Sequence, residues 1–281
     1  MGEGAGSPPP GTEPALVLGE LRSQARHRNL RATLAYDGTE FHGWQIQPSV
    51  RTVQGEIVAA LERILGEAVT VIGASRTDAG VHAEAQVMSF STASSIGVEE
   101  LARALNALTG DDLVVRDVRE VPADFHARFS VLGKRYRYRV RNTPLPLPWE
   151  RHHVWHVPRA LDVDVLHGEA AALVGTHDFS SFQAAGSDVA SPIRTLRRCE
   201  VRADRGLVSM IFEGDGFLRH MVRNIVGTLV EVGLRRRQPG FAAQALAARH
   251  RAAAGPTAPG HGLWLEEVLY PSDSHEEVAR T

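Results

Sequence analysis

The chain has 281 residues, with 31 lysines and arginines against 33 aspartates and glutamates, so its formal net charge of −2 favours no particular partner. A hydrophobic content of 43% and a charged content of 23% are typical of a globular protein. A lone cysteine, Cys199, excludes an internal disulfide and a cysteine-based structural metal site. No apolar run approaches the ~18 residues of a membrane span, and we expect a cytoplasmic protein without a membrane anchor.

The charge is distributed unevenly along the chain. Residues 30–125 carry 7 arginines against 14 acidic residues, a net charge of −7, whereas residues 126–270 carry 20 cations against 13 acidic residues, a net charge of +7. All the cations except Lys134 are arginines, which suit bidentate contacts to phosphate, although a GC-rich genome would give the same bias. The basic half can follow a phosphate backbone, or it can complement the acidic half across an interface.

The predicted elements of the first half follow a segment rich in Gly, Pro and Ala over residues 1–28, which is expected to be a disordered tail. The pattern then predicts a strand over 30–36, a turn at Asp37-Gly38, a helix capped by Thr52, strands over 68–72 and 86–90, a helix over 98–108 and a strand over 113–121. This order of elements is that of a ferredoxin-like unit, which also occurs in many RNA-binding sheets.

The second half reads as an elaborated version of the same unit. Its predicted elements are a strand over 131–140, a helix over 161–174 closed by Gly175, strands near 196–201 and 207–212, a long helix over 217–234, a short helix near 241–249 and a strand over 264–269. We therefore expect an α+β fold of two ferredoxin-like (RRM-like) α/β domains with antiparallel sheets, over residues 29–124 and 125–271. Residues 272–281 are expected to form a second tail.

A polar loop over residues 73–82 joins two apolar strands and carries Asp78 close to Arg76. One interpretation is a tight turn, in which the aspartate accepts local backbone hydrogen bonds and Gly80 takes a positive φ. The other is a carboxylate kept ionised by Arg76, which could act as a nucleophile or a base. A serine hydrolase elbow is excluded, because Thr77 stands where that motif needs its second glycine.

The segment over residues 134–141 alternates strictly between aromatic or apolar residues and arginines. In a strand, Tyr136, Tyr138 and Val140 would share one face and four arginines the other. The pattern fits a half-buried strand with a solvated charged side. It also fits a nucleic-acid surface, on which an aromatic ring stacks a base and arginines hold phosphates.

The start of the predicted helix over 217–234 carries Arg219, His220 and Arg223, although cations at a helix N-terminus oppose the helix dipole. This conflict indicates a bound anion or a carboxylate partner, unless the cations simply form a solvated face.

Three histidines, His152, His153 and His156, lie close together in the sequence, but no acid or cysteine completes a familiar metal-ligand spacing. We expect no metal there.

Taken together, these motifs resemble the TruA family of tRNA pseudouridine synthases over nearly all of residues 30–271. Six motifs stand in the family's order, and such a series is specific. They are Tyr36-Asp37-Gly38-Thr39 with Gly43-Trp44-Gln45, residues 76–83 from Arg76 to Ala83, residues 125–129 leading into 135–138, residues 177–182, the helix with residues 216–227, and Gly262-Leu263-Trp264-Leu265 with Tyr270-Pro271.

The resemblance implies isomerisation of uridine to pseudouridine at positions 38, 39 and 40 in the anticodon stem-loop of tRNA. It implies no cofactor and no metal, tRNA as the substrate, and a homodimer. It also implies that the active site lies in a cleft between the two domains, with the catalytic loop in the first domain and RNA-binding surface in the second.

The resemblance further implies the site residues. Asp78 is the nucleophile, attacking either the uracil ring or the ribose anomeric carbon. Tyr136 packs against the flipped base and could relay the proton that leaves it. Arg76 supplies a charge opposite to that of the carboxylate, Arg223 holds Asp78 or a phosphate, and Leu263 walls the base pocket.

Ser75 departs from the family pattern, which usually has glycine there, and this substitution is expected to strain the loop slightly. Two rival functions are also compatible with parts of the sequence. A non-catalytic RNA-binding module would not need Asp78, and a small-molecule hydrolase would use Asp78 with His82 in the absence of RNA.

Overall fold

A computed structural model describes residues 27–186 and 190–271. The C-terminal tail predicted over 272–281, and the N-terminal tail over 1–28 apart from its last two residues, therefore lie outside the described residues. The described part contains five α-helices: α1 (Val53–Leu65), α2 (Val98–Leu108), α3 (Val163–Ala171), α4 (Met221–Gly233) and α5 (Phe241–Ala248). Its strands are β1 (Arg28–Tyr36), β2 (Ile72–Gly73), β3 (His82–Thr92), β4 (Leu113–Val121), β5 (Gly133–Arg141), β6 (Trp155–His156), β7 (Gly175–Asp178), β8 (Ile193–Asp204), β9 (Leu207–Gly214) and β10 (Leu263–Leu269).

One large sheet runs through both halves of the chain. Its strands follow the order β4-β1-β3-β10-β5-β9-β8-β7, with β2 paired to β3 and β6 paired to β5. The last strand, β10, joins the halves, because it pairs in parallel with β3 at Trp264 and Leu265 and antiparallel with β5. The expected mixed α/β architecture is confirmed, but the sheet is not wholly antiparallel, since β10–β3 and β5–β6 are parallel pairs.

Buried apolar side chains form one cluster that reaches from β1 to α4. It includes Leu30 and Leu34 of β1, Phe212 of β9 and Ile225 of α4. Because the cluster is continuous, the two halves of the chain pack on each other as well as sharing the sheet. No helix of the described residues has the length and apolar character needed to cross a membrane.

Most of the predicted elements of the first half are confirmed, including the N-cap of α1, where the Thr52 side chain accepts a hydrogen bond from the Gly55 N–H. The strand predicted over 68–72 is wrong, because only Ile72–Gly73 pairs with β3. Val69 and Val71 are buried all the same. Their apolar character reflects packing and not strand pairing.

Two predicted helices of the second half are too long. The helix predicted over 161–174 runs over Val163–Ala171, since Asp162 caps its start by accepting a hydrogen bond from Val165 N. The helix predicted over 217–234 begins at Met221, because His220 has a φ of +62° that no α-helix continues through. The short strands β6 and β7 were not predicted, and strands of two and four residues leave little periodicity to detect.

Candidate active site

Asp78 lies in the loop between β2 and β3, and buried polar side chains fix two of the residues that precede it. The side chain of Gln86, fully buried in β3, donates to the Ser75 carbonyl over 2.7 Å and accepts from the Ser75 N–H over 3.2 Å. The Tyr36 and Thr77 hydroxyls share a hydrogen bond of 2.8 Å. The loop is therefore held on the sheet at both residues that flank Arg76.

A second segment braces the same loop from the opposite side. The Trp44 N–H donates to the Thr77 carbonyl over 3.0 Å. Gly43 has a φ of +90°, and a Cβ there would lie 2.6 Å from that carbonyl oxygen. Gly38 approaches the loop as closely, since its Cβ would lie 2.1 Å from the Val81 oxygen. These glycines allow the braces to come within contact distance of the backbone around Asp78.

The Asp78 carboxylate pairs with two side chains at the start of α4. Arg223 Nη1 donates to Asp78 Oδ2 over 2.9 Å, and His220 Nε2 lies 3.5 Å from the same oxygen. Arg223 Nε donates to the Ala258 carbonyl over 2.8 Å, which orients the guanidinium toward the aspartate. Burial lowers the pKa of His220, despite the opposing charge of Asp78, so the ring is neutral at pH 7 and Arg223 supplies the positive charge.

The loop over residues 73–82 combines the two interpretations given from its sequence, a tight turn and a charged carboxylate paired with an arginine. The backbone forms a turn, in which Val81 N donates to the Asp78 carbonyl over 3.2 Å and Gly80 has a φ of +73°. The Asp78 side chain, however, is not used by the turn and makes the ion pair with Arg223. The predicted pairing with Arg76 is wrong, because the Arg76 side chain is exposed and makes no hydrogen bond or ion pair within residues 27–186 and 190–271.

Tyr136 lies in the middle of β5, where it is 6% exposed. Its hydroxyl lies 2.6 Å from Ser75 Oγ, and the two share a hydrogen bond. Its ring meets Phe217 edge to face, with centroids 5.1 Å apart. Burial raises the pKa of Tyr136 to about 12, although the hydrogen bond from Ser75 opposes this shift.

Ser75 does not strain the loop as expected. Its φ is negative, so the position does not require glycine. The serine instead adds a contact that glycine could not make, since its side chain connects the Asp78 loop to Tyr136.

Leu263 begins β10 and is buried opposite Tyr138 of β5. The turn before it contacts both neighbouring elements. A Cβ on Gly260 would lie 2.5 Å from the Ala79 carbonyl oxygen, and a Cβ on Gly262 would lie 2.6 Å from the Tyr138 ring. The structure therefore brings the start of β10 against the Asp78 loop and the aromatic face of β5.

The arginine face of β5 is neutralised within the fold. All four arginines of this face lie within 4 Å of glutamates: Arg135 pairs with Glu213 and Glu267, Arg137 with Glu266, Arg139 with Glu84, and Arg141 with Glu150. The glutamates come from β3, β9, β10 and the segment after β5. The interpretation that these arginines hold phosphates is not supported, because their charges are already compensated.

His82 does not contact Asp78, which argues against the hydrolase alternative. Its Nδ1 accepts the Gly38 N–H over 2.9 Å, so its Nε2 carries the proton and faces the carbonyls of His152 at 2.9 Å and His261 at 3.2 Å. Burial lowers the pKa of His82, against the charge of Asp37. His82 is a structural residue that ties β3 to the segments on either side.

Asp37, His82 and His153 form the group in the described part of the chain whose ligand atoms, all within 4.8 Å of one another, could hold a metal ion. No sequence motif indicates this group, because the three residues are far apart in the chain. Of His152, His153 and His156, only His153 belongs to it, and its Nε2 lies 2.8 Å from Asp37 Oδ2. Since both ring nitrogens of His82 are already hydrogen-bonded, the donor set does not favour a metal, and its absence stays a prediction.

Comparison with known proteins agrees with these motifs. A family model described as tRNA pseudouridine synthase matches residues 32–130 and 170–271. The matched ranges contain Asp78 and Arg223, which form the ion pair.

Curated relatives named tRNA pseudouridine synthase A align over nearly their whole lengths. The protein from Acetivibrio thermocellus is 44% identical over 243 residues, covering 86% of this chain and 100% of the relative. The protein from Moorella thermoacetica is 48% identical, covering 86% and 99%, and that from Geobacillus kaustophilus is 46% identical, covering 88% and 96%. With a family model over most of its length and relatives this similar, the chain belongs to the tRNA pseudouridine synthase family of isomerases that act on tRNA.

Proposed function

We propose that the chain converts uridine to pseudouridine at positions 38, 39 and 40 of the anticodon stem-loop of tRNA, with Asp78 as the nucleophile and without a cofactor. The observation that carries the proposal is the Asp78 carboxylate, bound at 2.9 Å by Arg223, in a loop whose Ser75 is hydrogen-bonded to the buried Tyr136. A carboxylate fixed in position in this way is a competent nucleophile.

In the proposed reaction, the carboxylate attacks the uracil ring or the ribose anomeric carbon, and the glycosidic bond between carbon and nitrogen breaks. The base then rotates and its carbon five bonds to the ribose, and the bond between the Asp78 carboxylate and the ring or the anomeric carbon breaks, which regenerates the carboxylate. The hydrogen on carbon five leaves as a proton, and the ring nitrogen freed from the ribose takes up a proton. Because the Asp78 loop is braced by Gln86 and Trp44, the carboxylate keeps its position while the base moves.

Tyr136 would stack against the flipped uracil and relay the departing proton, since its hydroxyl already shares a hydrogen bond with Ser75. Its pKa of about 12 keeps the hydroxyl protonated at neutral pH, so a relay must pass one proton on as it takes up another. Leu263 would wall the base pocket. The exposed guanidinium of Arg76 would contact RNA and would not pair with Asp78.

The proposal also covers the domains, the oligomeric state and the cellular location of the enzyme. The target base would enter a cleft between two ferredoxin-like domains, 29–124 and 125–271, of a homodimer that works in the cytoplasm without a metal. Arg223 connects the second domain to the first by reaching Asp78 from α4, which supports a site at their junction.

Mapping pseudouridine in a tRNA transcript tests this proposal. The full chain is incubated with an unmodified transcript that carries uridines at positions 38, 39 and 40, and carbodiimide adducts are located by reverse-transcription stops. We expect stops at those positions, and none in a transcript that carries cytidines there. Stops elsewhere, or none at all, would contradict the proposed substrate.

A further inference from the structure

Lys134, the chain's only lysine, lies on the same side of β5 as the aromatic site residues. Side chains alternate along a strand, so Lys134, Tyr136 and Tyr138 share one face and the neutralised arginines share the other. Residues two apart on a strand are about 6.6 Å apart, so the lysine backbone is one such step from that of Tyr136.

Lys134 differs from the other four cations of β5 because it lacks an acidic partner. Within the described part of the chain, its amine makes no hydrogen bond and no ion pair, although the side chain is half-buried. Burial, together with the neighbouring charges of Arg128 and Arg194, lowers the pKa of Lys134 to about 8. An uncompensated, half-buried cation among like charges is unfavourable in the free protein and becomes favourable when an anion binds.

The two neighbouring arginines also lack carboxylate partners among the described residues. The guanidinium of Arg194 donates only to the backbone carbonyls of Ser191, over 2.9 Å, and Ile193, over 2.6 Å. That of Arg128 lies 5.7 Å from the ring centroid of Phe129, which is 76% exposed. Arg128 therefore lies beside an exposed aromatic ring, and cations combined with such a ring are typical of a surface for single-stranded nucleic acid.

We propose that Lys134, Arg128 and Arg194 form a phosphate subsite, which binds a phosphodiester adjoining the target uridine while its base lies against Tyr136. The neighbouring base would stack on Phe129. This inference rests on the proposed function, because it takes the Tyr136 face as the place of the target base. It assigns the phosphate contact to the aromatic face of β5 and not to the arginine face.

Binding of full-length protein to a tRNA transcript at several salt concentrations tests the subsite. Loss of one phosphate contact is expected to weaken binding about fivefold at 0.1 M salt and to reduce the slope of log K against log salt by about 0.7. We expect this result for Lys134→Met and near wild-type binding for Lys134→Arg. Arg116→Gln is the matched control, because it removes an exposed arginine from β4, four strands from β5 in the sheet, and it should leave binding unchanged.

Amine labelling gives a second readout that does not depend on a variant. A lysine-selective reagent can modify only Lys134 and the N-terminal amine, and mass spectrometry separates the two. We expect tRNA to protect Lys134 from labelling. Protection by inorganic phosphate but not by tRNA would overturn the proposal, as would unchanged binding and salt slope in a folded Lys134→Met variant.

Pseudouridine formation is measured in the same samples. If the wild type modifies tRNA and Lys134→Met binds normally, the subsite is wrong and the proposed function stands. If the wild type binds tRNA but forms no pseudouridine, the proposed function is wrong, while protection and salt slope still decide whether Lys134 contacts RNA.

Discussion

Replacing Arg223 tests whether the ion pair positions Asp78. Arg223→Met removes a guanidinium 2.9 Å from the carboxylate and keeps much of the side chain's volume. The Arg223 and Asp78 side chains are only 17% and 25% exposed, so solvent screens their charges little. The hydrogen bond between these charged groups should therefore contribute about 1.5–3 kcal/mol. If all of this serves to hold the nucleophile for attack, kcat should fall about 10- to 100-fold, at 1.36 kcal/mol for each tenfold change.

The assay combines single-turnover rates at saturating tRNA with a double-mutant cycle on unfolding. Arg223→Met and Asp78→Asn, alone and together, should give a coupling energy of about 1–2 kcal/mol in urea denaturation. Arg219→Gln serves as the control, because it removes an exposed cation that lies two residues before α4 and makes no hydrogen bond or ion pair with Asp78. Additivity within about 0.3 kcal/mol, with a rate for Arg223→Met close to that of wild type, would show that the ion pair does not position Asp78.

Three further predictions concern Ser75, Gly43 and Asp37. Ser75→Ala removes the hydrogen bond to Tyr136 and should lower the free energy of unfolding by about 0.5–1.5 kcal/mol; unchanged urea stability would count against that bond. Gly43→Ala places a Cβ 2.6 Å from a loop carbonyl and should lower both stability and kcat, whereas Gly66→Ala, with a similar positive φ and open space, should spare kcat in the same rate assay. Burial opposes ionisation of Asp37, but hydrogen bonds lower its pKa to about 2, so its stabilisation is present above about pH 4 and is lost as the pH falls toward 2. The melting temperature of Asp37→Asn should therefore fall less steeply than that of the wild type over this pH range. Equal slopes of melting temperature against pH in the two proteins would contradict the lowered pKa of Asp37.

The longer elements could be predicted because their apolar residues recur at the spacing with which the helix or strand buries one face. Helix α2 and strand β4 run over the predicted residues, and the side chain of Thr52 caps α1 as expected. The pattern of apolar residues gave wrong elements where residues are apolar or buried but their backbone is neither a paired strand nor a helix. Val69 and Val71 are buried without strand pairing, and the apolar residues before α4 suggested a helix that the left-handed conformation of His220 excludes.

The site was only partly predictable, since its contacts connect distant parts of the chain. Cations at the start of α4 indicated a carboxylate partner, and Arg223 does contact Asp78, 145 residues away. Arg76 is close to that aspartate in sequence, but closeness in a loop does not fix where a side chain points. The alternation in β5 gave its two faces correctly, but it held no information on the glutamates that neutralise the arginine face.

Tritium release from tRNA labelled at carbon five of uridine is the most direct test of Asp78 as the nucleophile. Wild type and Asp78→Asn are compared with the same transcript, and tRNA binding and unfolding are measured for both. We expect release by the wild type only, with binding and fold retained in the variant. Release at a comparable rate by Asp78→Asn would contradict the role of Asp78 as the nucleophile.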